Sequence, residues 1–287
     1  MNNVVTGIDI GGTHITVCKI DLNTMEMLEA SRFRSDIDTS ESKEHVIEAW
    51  SKAIKGCSFL DDGEIGKVGI ALPGPFDYEK GISLITGLNK YESLYGLNVK
   101  ELLSKELNIP VTDIRMMNDA TAFLLGEWKA GSGKGCKNIV GLTLGTGLGS
   151  ANCFDNVMED GDLWKMPFGD SRAEDLLCAR WFIKEYEKRT QKHVANVKEL
   201  SLMVGEGIVA SQLFKEFGHT LGEVLIKRYS NNFPEHIIIG GNIARSWNLF
   251  YPYTKAALQR HGFFPNIIPA TLGEDAALMG AACLWRD

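Results

Sequence analysis

The chain of 287 residues carries a formal net charge of −7, and 44% of its residues are hydrophobic. This length has room for two domains of common size, and this apolar fraction can supply two cores. The acidic balance disfavours a nucleic-acid or membrane surface, because such surfaces need clustered Lys and Arg. No apolar run approaches the roughly 18 residues that cross a bilayer, and the N-terminus enters a strand-like pattern instead of a signal peptide. We therefore expect a cytoplasmic protein with neither a nucleic-acid nor a membrane partner.

The six cysteines are widely spread, and no pair has the Cys-x-x-Cys spacing. Such a distribution predicts buried thiols rather than disulfides or a zinc site.

Two glycine-rich segments share one pattern. Residues 4–21 read VVTGIDIGGTHITVCKID, and residues 138–155 read NIVGLTLGTGLGSANCFD. In each segment a β-type run reaches a tight glycine turn and leaves through a second β-type run, which predicts a β-hairpin. Glycine leaves the backbone N–H groups open to an anion, and Thr13 or Thr146 adds a hydroxyl donor. Either segment alone could be an ordinary hairpin that needs positive φ, but the repetition favours a duplicated α/β unit with a polyphosphate site in a cleft between the copies.

Two commoner nucleotide motifs do not fit these segments. A dinucleotide-binding glycine motif opens a helix, whereas residues 145–149 are followed by a strand-like run. A Walker A loop needs Ser or Thr after its Gly-Lys pair, whereas Lys134 is followed by Gly135. A hairpin type of nucleotide site remains.

Five motifs occur in a fixed order along the chain: Asp9-Ile-Gly-Gly-Thr13, Leu72-Pro-Gly-Pro75, Asn118-Asp119-Ala120, Leu144-Gly-Thr-Gly147 and Ile238-Ile-Gly-Gly241. Together they resemble the ROK family (repressor, open reading frame, kinase) over nearly the whole chain. The resemblance implies an α/β protein with the duplicated actin-like ATPase (ribonuclease H-like) fold and two domains flanking a cleft. The expected domains are residues 1–117, joined by a C-terminal helix at 272–287, and residues 118–271.

Asp9 directly precedes the first glycine turn, where a carboxylate would repel phosphate unless a divalent cation lay between them. This placement favours an Asp that holds Mg²⁺ through water beside ATP, with capping of the turn as the alternative. The resemblance implies phosphate or ATP contacts at Gly11, Gly12, Thr13, Gly145, Thr146, Gly147, Gly240 and Gly241, although the last two could simply form a turn. His14 is interpreted as structural.

Asp119 follows a strand predicted at residues 111–117 and precedes a helix predicted at 121–129. A bare helix-capping role is the alternative for such a residue. With the other motifs, Asp119 is the expected general base that accepts the proton of a sugar hydroxyl. Asn118 is expected to orient the same sugar.

The remaining sugar contacts follow from the resemblance. It implies Gly74 in the loop after residues 67–72, Asn89 in a stretch that departs from the family form, and Asp162, Lys165 and Glu174 further on. For Asp162 and Glu174 the alternatives are a loop charge and a favourable first-turn acid. Lys165 could pair with a carboxylate or reach the sugar.

The segment of residues 161–168 departs furthest from the family pattern. Lys165 stands where the family has a zinc-binding His, and the three zinc-binding cysteines are missing. We therefore expect no zinc, and a loop held instead by packing of Trp164, Phe168, Trp181 and Phe182.

Further helices are predicted at residues 42–55, 99–107, 172–188, 197–203, 210–229 and 274–284, and a further strand at 235–239. The last helix is rich in small residues, which predicts close packing against its neighbours.

These motifs imply an ATP- and Mg²⁺-dependent kinase that transfers the γ-phosphate to a hydroxyl, expected to be the primary 6-hydroxyl, of a hexose such as glucose. An N-acetylhexosamine (N-acetylmannosamine or N-acetylglucosamine) is the alternative substrate. A non-catalytic sugar-sensing regulator or an actin-like ATPase module is the alternative class, although regulators of this family carry an added helix-turn-helix, for which the residues before Val4 leave no room. The resemblance also implies a homodimer.

Overall fold

The computed structural model describes residues 3–57, 64–88, 90–205 and 207–286. The chain forms two compact units, the first made of Met1–Lys134 with Glu274–Asp287 and the second of Gly135–Gly273. The division therefore falls after Lys134, whereas the sequence placed it after residue 117. The helix that follows residue 118 belongs to the first unit.

The first unit is built on a five-stranded sheet. Its elements in chain order are β1 (Val4–Ile10), β2 (His14–Asp21), β3 (Glu26–Asp36), α1 (Lys43–Cys57), β4 (Val68–Leu72), β5 (Phe76–Asp77), β6 (Ile82–Ser83), α2 (Val99–Leu107), β7 (Ile114–Asn118) and α3 (Asp119–Ala130). The strand order is β3-β2-β1-β4-β7. Strands β1, β2 and β3 are antiparallel neighbours, while β4 and β7 run parallel to β1.

The second unit repeats this arrangement. Its elements are β8 (Ile139–Leu144), β9 (Leu148–Phe154), β10 (Val157–Asp160), β11 (Pro167–Phe168), β12 (Ser171–Arg172), α4 (Ala173–Leu176), α5 (Ala179–Thr190), α6 (Val197–Leu202), α7 (Ile208–Tyr229), β13 (His236–Gly240), α8 (Trp247–Arg260) and β14 (Asn266–Pro269). The strand order is β10-β9-β8-β13-β14, with an antiparallel β8–β9 hairpin and parallel β8–β13 and β13–β14 pairs. The two sheets thus have the same order and direction, as expected of a duplicated unit.

Amphipathic helices cover these sheets. Helix α1 buries Val46, Ile47, Trp50 and Ile54 against the first sheet, as its apolar spacing predicts. Helix α2 begins at an Asn98 side-chain cap and ends at Asn108, whose φ of 54° ends the helix in the left-handed region. In the second unit, α7 contributes Phe214 and Phe217 to an aromatic cluster.

The last helix, α9 (Asp275–Cys283), packs in backbone contact with its neighbours. A side chain on Gly280 would overlap the carbonyl of Ala122 in α3, and one on Gly126 of α3 would overlap the carbonyl of Ala276. Gly69 of β4 is equally close to the carbonyl of Ala281. The close packing predicted from small residues is therefore confirmed. A Cβ added at any of these three glycines would overlap a backbone carbonyl.

We expect Gly280→Ala to lower the free energy of unfolding by about 2 kcal/mol, because the overlap with Ala122 outweighs the better helix propensity of alanine. Gly66→Ala is the matched control, since a Cβ there meets nothing within 4 Å and its φ is not positive. Denaturant unfolding of both variants measures the difference. Equal midpoints would show that the α3–α9 contact can relax.

The structure corrects two predicted elements. The single helix predicted at residues 172–188 is two helices, α4 and α5, because Cys178 is extended and the Ala179 N–H donates to the Gly145 carbonyl at 2.8 Å. The strand predicted at 111–117 begins only at Ile114, after a short turn of 3₁₀ helix at Val111–Asp113. Helix α8 and strands β3, β10 and β14 were not predicted.

The six cysteines are thiols, and five of them are buried, as expected from their spacing. Within the part of the chain that the structure describes, no helix is both long and apolar enough to cross a membrane.

Candidate active site

The first glycine turn joins β1 to β2 and leaves its tip open. The hairpin closes through the Gly11 N–H, which donates to the His14 carbonyl at 2.9 Å. Gly12 and Thr13 beyond it are exposed, and a Cβ on Gly12 would meet nothing within 4 Å. The fold itself therefore has no need of glycine at position 12.

The second glycine turn, between β8 and β9, is closed by the Gly145 N–H donating to the Gly147 carbonyl at 3.0 Å. Thr146 is exposed at its tip, and a Cβ on Gly145 would also meet nothing within 4 Å. Gly147 differs, because a Cβ there would lie 2.7 Å from Oε2 of Glu174. Both turns thus present an exposed Thr beside a glycine that packing does not require.

Positive φ does not explain these glycines. Gly11, Gly12, Gly145 and Gly147 are absent from the left-handed residues in the described part of the chain. The alternative of an ordinary hairpin assumed that these glycines are needed for positive φ, and this assumption is wrong for all four. Bare backbone at both tips is the feature that a phosphate-binding turn needs.

Asp9 lies on β1, two residues before Gly11, and is partly buried. Burial and, to a smaller extent, repulsion from the Asp119 carboxylate together raise the pKa of its carboxyl to about 7, against an opposing effect of Arg34. Burial and Asp119 thus disfavour the ionised form of Asp9. A carboxylate in such surroundings is expected where a bound cation stabilises its negative charge. One carboxylate plus substrate phosphates is a common protein environment for Mg²⁺.

Asp119 is the first residue of α3, at the carboxyl end of β7. Burial raises the pKa of its carboxyl, partly offset by the Ala120 N–H, which donates to Oδ1 at 2.9 Å, and by the Lys90 ammonium. The cap of α3 is not Asp119 but Asn118, whose Oδ1 accepts from the N–H groups of Ala120 and Thr121. The capping alternative for Asp119 is therefore wrong, and a raised pKa makes its carboxylate a stronger proton acceptor.

A cavity of about 70 Å³ adjoins Asp9. It is lined by charged and polar side chains of the first unit: Asp9, His14, Thr16, Arg32, Arg34 and Glu274. Arg34 pairs with Glu274 at 3.2 Å, and Arg32 pairs with Asp275 at 2.7 Å. Burial and Arg34 lower the pKa of His14, whose Nδ1 lies 3.2 Å from Oγ1 of Thr13.

The Tyr78 hydroxyl lies close to both Asn118 and Gly74. The Asn118 amide donates to the Tyr78 hydroxyl at 3.3 Å, and that hydroxyl donates to the Leu72 carbonyl at 3.2 Å. A Cβ on Gly74 would lie 3.0 Å from the same hydroxyl. Close approach at Gly74 is thus explained by Tyr78, a residue that the sequence did not single out.

The segment of residues 161–168 presents an ion pair. Lys165 Nζ lies 2.8 Å from Oδ2 of Asp162, and both side chains are about half exposed. Of the two roles left open for Lys165, pairing with a carboxylate is the one seen.

The packing expected to hold this segment is partly wrong, because Trp164 is 39% exposed. The adjacent Leu163 is the buried anchor, and its N–H donates to the Ser150 hydroxyl at 2.9 Å. Phe182 is fully buried, and Phe168 and Trp181 pack on the same core, as expected.

Glu174 is bound to the second glycine turn. Its Oε2 accepts from the Leu148 N–H at 3.1 Å, and its Oε1 pairs with Arg180 at 3.2 Å. The carboxylate therefore supports the turn directly, a role that the sequence did not predict beside its sugar contact or its place as an acid in the first turn of a helix. Arg180 carries no motif by which the sequence could have identified it.

Gly241 has a structural reason to be glycine. Its φ is 85°, and a Cβ would overlap the backbone of Leu144 at the base of the second turn. Gly240 ends β13 and is buried. Their predicted contact with adenosine stays a prediction.

Asn89 lies outside the described residues. Its neighbours Lys90 and Tyr91 are described, and both bear on the site: Lys90 through its charge on Asp119, and Tyr91 through a hydroxyl that donates to the Gly11 carbonyl at 2.6 Å. Tyr91 ends the stretch around Asn89 that departs from the family form, and the sequence predicted no role for it.

Within residues 3–57, 64–88, 90–205 and 207–286, no group of three or more His, Cys, Asp or Glu side chains is placed to hold a metal ion. A structural zinc needs about four such ligands. We expect purified protein to contain well under one zinc per chain and to recover full activity after chelation followed by excess Mg²⁺. Elemental analysis measures the first, and irreversible loss of activity with stoichiometric zinc would contradict both.

Comparisons with known proteins agree with this architecture. The ROK family model matches residues 5–163 and 173–287. The glucokinase of Thermotoga maritima is 34% identical over 317 residues, covering 98% of this chain and 96% of that protein. The N-acetyl-D-glucosamine kinase of Histophilus somni is 24% identical, covering 97% and 98% respectively.

Among solved structures, a ROK family glucokinase from Streptomyces griseus in complex with glucose and AMPPNP has a TM-score of 0.78 at 22% identity, covering 98% of each chain. The actin-like fold prediction is thereby confirmed. The chain belongs to the ROK family.

Proposed function

We propose that this protein is a sugar kinase that transfers the γ-phosphate of ATP to the primary 6-hydroxyl of a hexose, with glucose as the first candidate. The observation that carries the proposal is the first unit's combination of an open glycine turn, Asp9 beside it, and Asp119 with a raised pKa close enough for the two carboxylates to repel. The 34% identical glucokinase supports the choice of sugar.

The proposal gives each candidate site residue a role. Asp119 accepts the proton of the attacking hydroxyl, and Gly12 and Thr13 bind phosphate through backbone N–H and hydroxyl groups. The Gly11 N–H closes the hairpin, so Gly11 contributes to the phosphate site by its bare backbone. Asp9 would hold Mg²⁺, with water between them, and the ion would neutralise charge on the phosphates. In the second unit, Gly145, Thr146 and Gly147 are proposed for phosphate, and Gly240 and Gly241 for adenosine.

The sugar is proposed to contact Gly74, Asn89, Asn118, Asp162, Lys165 and Glu174. Lys165 and Asp162 are paired at 2.8 Å through Oδ2, which leaves Oδ1 of Asp162 and further N–H donors of Lys165 for sugar hydroxyls. Glu174 has the Leu148 N–H and Arg180 as partners. A sugar bound to Glu174 would therefore be connected to the second glycine turn through the bond from Leu148.

N-acetylhexosamines are the second candidate substrates, because the Histophilus somni relative is an N-acetyl-D-glucosamine kinase of similar coverage. The test is an ADP-release assay of purified protein with ATP and Mg²⁺ against glucose, mannose, N-acetylglucosamine and N-acetylmannosamine. A highest kcat/KM for glucose supports the proposal, whereas preference for an acetylated sugar selects the alternative. Sugar binding without ADP release would indicate a non-catalytic sensor. The predicted homodimer is tested separately by sedimentation.

A further inference from the structure

The hydroxyl of Tyr91 is a buried polar group to which the proposed mechanism assigns no role. Tyr91 is 1% exposed, and its ring packs edge-on against Trp50 at 5.2 Å between centroids. Its backbone is left-handed at φ 53°, and its N–H donates to the Thr39 carbonyl at 2.9 Å. The residue is thus held at the ring and at the main chain, which leaves the hydroxyl in one place.

That hydroxyl donates to the backbone carbonyl of Gly11 at 2.6 Å. Burial raises the pKa of Tyr91, so the group stays protonated and remains a donor at neutral pH. Tyr91 lies 80 positions from Gly11 in the chain. The bond therefore ties the glycine turn to the loop that also carries Lys90, whose charge acts on Asp119.

The consequence of this bond follows from peptide geometry. In a planar trans peptide, the carbonyl of Gly11 and the N–H of Gly12 point in opposite directions in one plane. Holding the carbonyl toward Tyr91 therefore aims the Gly12 N–H away from it. Glycine on both sides offers little steric resistance to rotation of that plane, so an external contact has to set its direction. Among the described residues the Gly12 N–H has no hydrogen-bond partner.

We propose that Tyr91 is a positioning residue, which orients the Gly11–Gly12 peptide so that the Gly12 N–H donates to a phosphate of the nucleotide. The inference rests on the proposed function and adds to it a residue that determines nucleotide affinity without touching the nucleotide.

The test is Tyr91→Phe, which removes the hydroxyl and keeps the ring against Trp50. Tyr229→Phe is the matched control: Tyr229 is fully buried, lies in the second unit, and its hydroxyl donates to Oδ1 of Asn152 at 2.8 Å. Binding of ATP with Mg²⁺ is measured by calorimetry without sugar, and glucose binding without ATP. One lost hydrogen bond predicts ATP affinity about three- to tenfold weaker for Tyr91→Phe, with glucose affinity unchanged.

Both variants are expected to lower Tm by a similar amount, and only Tyr91→Phe is expected to weaken ATP binding. ATP affinities of Tyr91→Phe and Tyr229→Phe that both equal the wild-type value would overturn the inference and leave the proposed function standing. Absence of ATP binding by the wild type would overturn the proposed function, and the inference with it. The Gly12 amide resonance provides a second readout: it should shift on addition of ATP and Mg²⁺ to the wild type, and a Gly12 signal unmoved by saturating nucleotide would also reject the inference.

Discussion

Replacement of Asp119 by asparagine is expected to lower kcat by roughly two to four orders of magnitude, the usual effect of removing a general base. Asparagine has the same shape, and its Oδ1 can still accept from the Ala120 N–H, so α3 should begin where it does in the wild type. What is lost is the capacity to accept the proton of the sugar hydroxyl. Affinities for ATP and sugar, measured by calorimetry, should change little.

Asp113→Asn is the control for this variant. Asp113 directly precedes β7, whereas Asp119 follows it, so the two aspartates mark opposite ends of one strand. The control should retain wild-type kcat. If Asp119→Asn retained more than about a third of the wild-type kcat, the assignment of Asp119 as the base would be wrong.

The same substitution should stabilise the protein without ligands at neutral pH. Because the pKa of Asp119 is raised in the folded state, its ionisation costs folding free energy that the unfolded chain does not incur. The contribution of Asp119 to the free energy of unfolding is therefore highest at acid pH, where Asp119 is protonated in both the folded and the unfolded state. This contribution is lost as the pH rises through the folded-state pKa of Asp119. Tm of Asp119→Asn should therefore exceed that of the wild type at pH 7, and the difference should shrink as the pH falls toward the ordinary aspartate pKa of about 3.9.

Asp9→Asn is expected to raise the Mg²⁺ concentration needed for half-maximal activity by about tenfold or more, the scale seen when an outer-shell partner of a bound metal is removed. The charge that attracts the ion disappears while the shape of the side chain is kept. Sugar binding should be unaffected, since it needs no cation. Magnesium titrations at fixed ATP, run beside calorimetry with glucose, measure the two effects.

Asp21→Asn provides the comparison, because Asp21 lies at the far end of the same β1–β2 hairpin, paired with Val4. Its Mg²⁺ dependence should match that of the wild type. An Asp9→Asn enzyme with an unchanged Mg²⁺ requirement would contradict the role of Asp9, while the role of Asp119 could still hold.

The buried carboxyl groups of Asp9 and Asp119 lower the stability of the folded protein when they are ionised. Each is buried enough to disfavour its own charge, and each raises the cost of the other by repulsion. Packing would be more favourable with neutral side chains at both positions. In the proposed function both charges act when ATP and Mg²⁺ are bound, which is the trade-off expected where function and stability conflict.

The sequence by itself determined the repeated hairpins, the amphipathic helices and the family. These features are local, because they depend on residues that are neighbours in the chain. Examples are the apolar alternation in residues 4–21 and 138–155 and the helical spacing of apolar residues in α1 and α2. The motifs also predicted Asp9, Asp119 and both glycine turns as site residues, because a turn that binds phosphate needs bare backbone wherever it occurs.

The tertiary structure alone decided what depends on contacts between distant segments. The break between α4 and α5 exists because Ala179 donates to Gly145, and no residue within 172–188 indicates it. Helix α3 lies in the first unit because it packs on α9, which is distant in the chain. The Tyr91 hydroxyl reaches Gly11 across 80 positions. A short-range pattern carries no information about such pairs, since their geometry is set by how the sheets and helices pack.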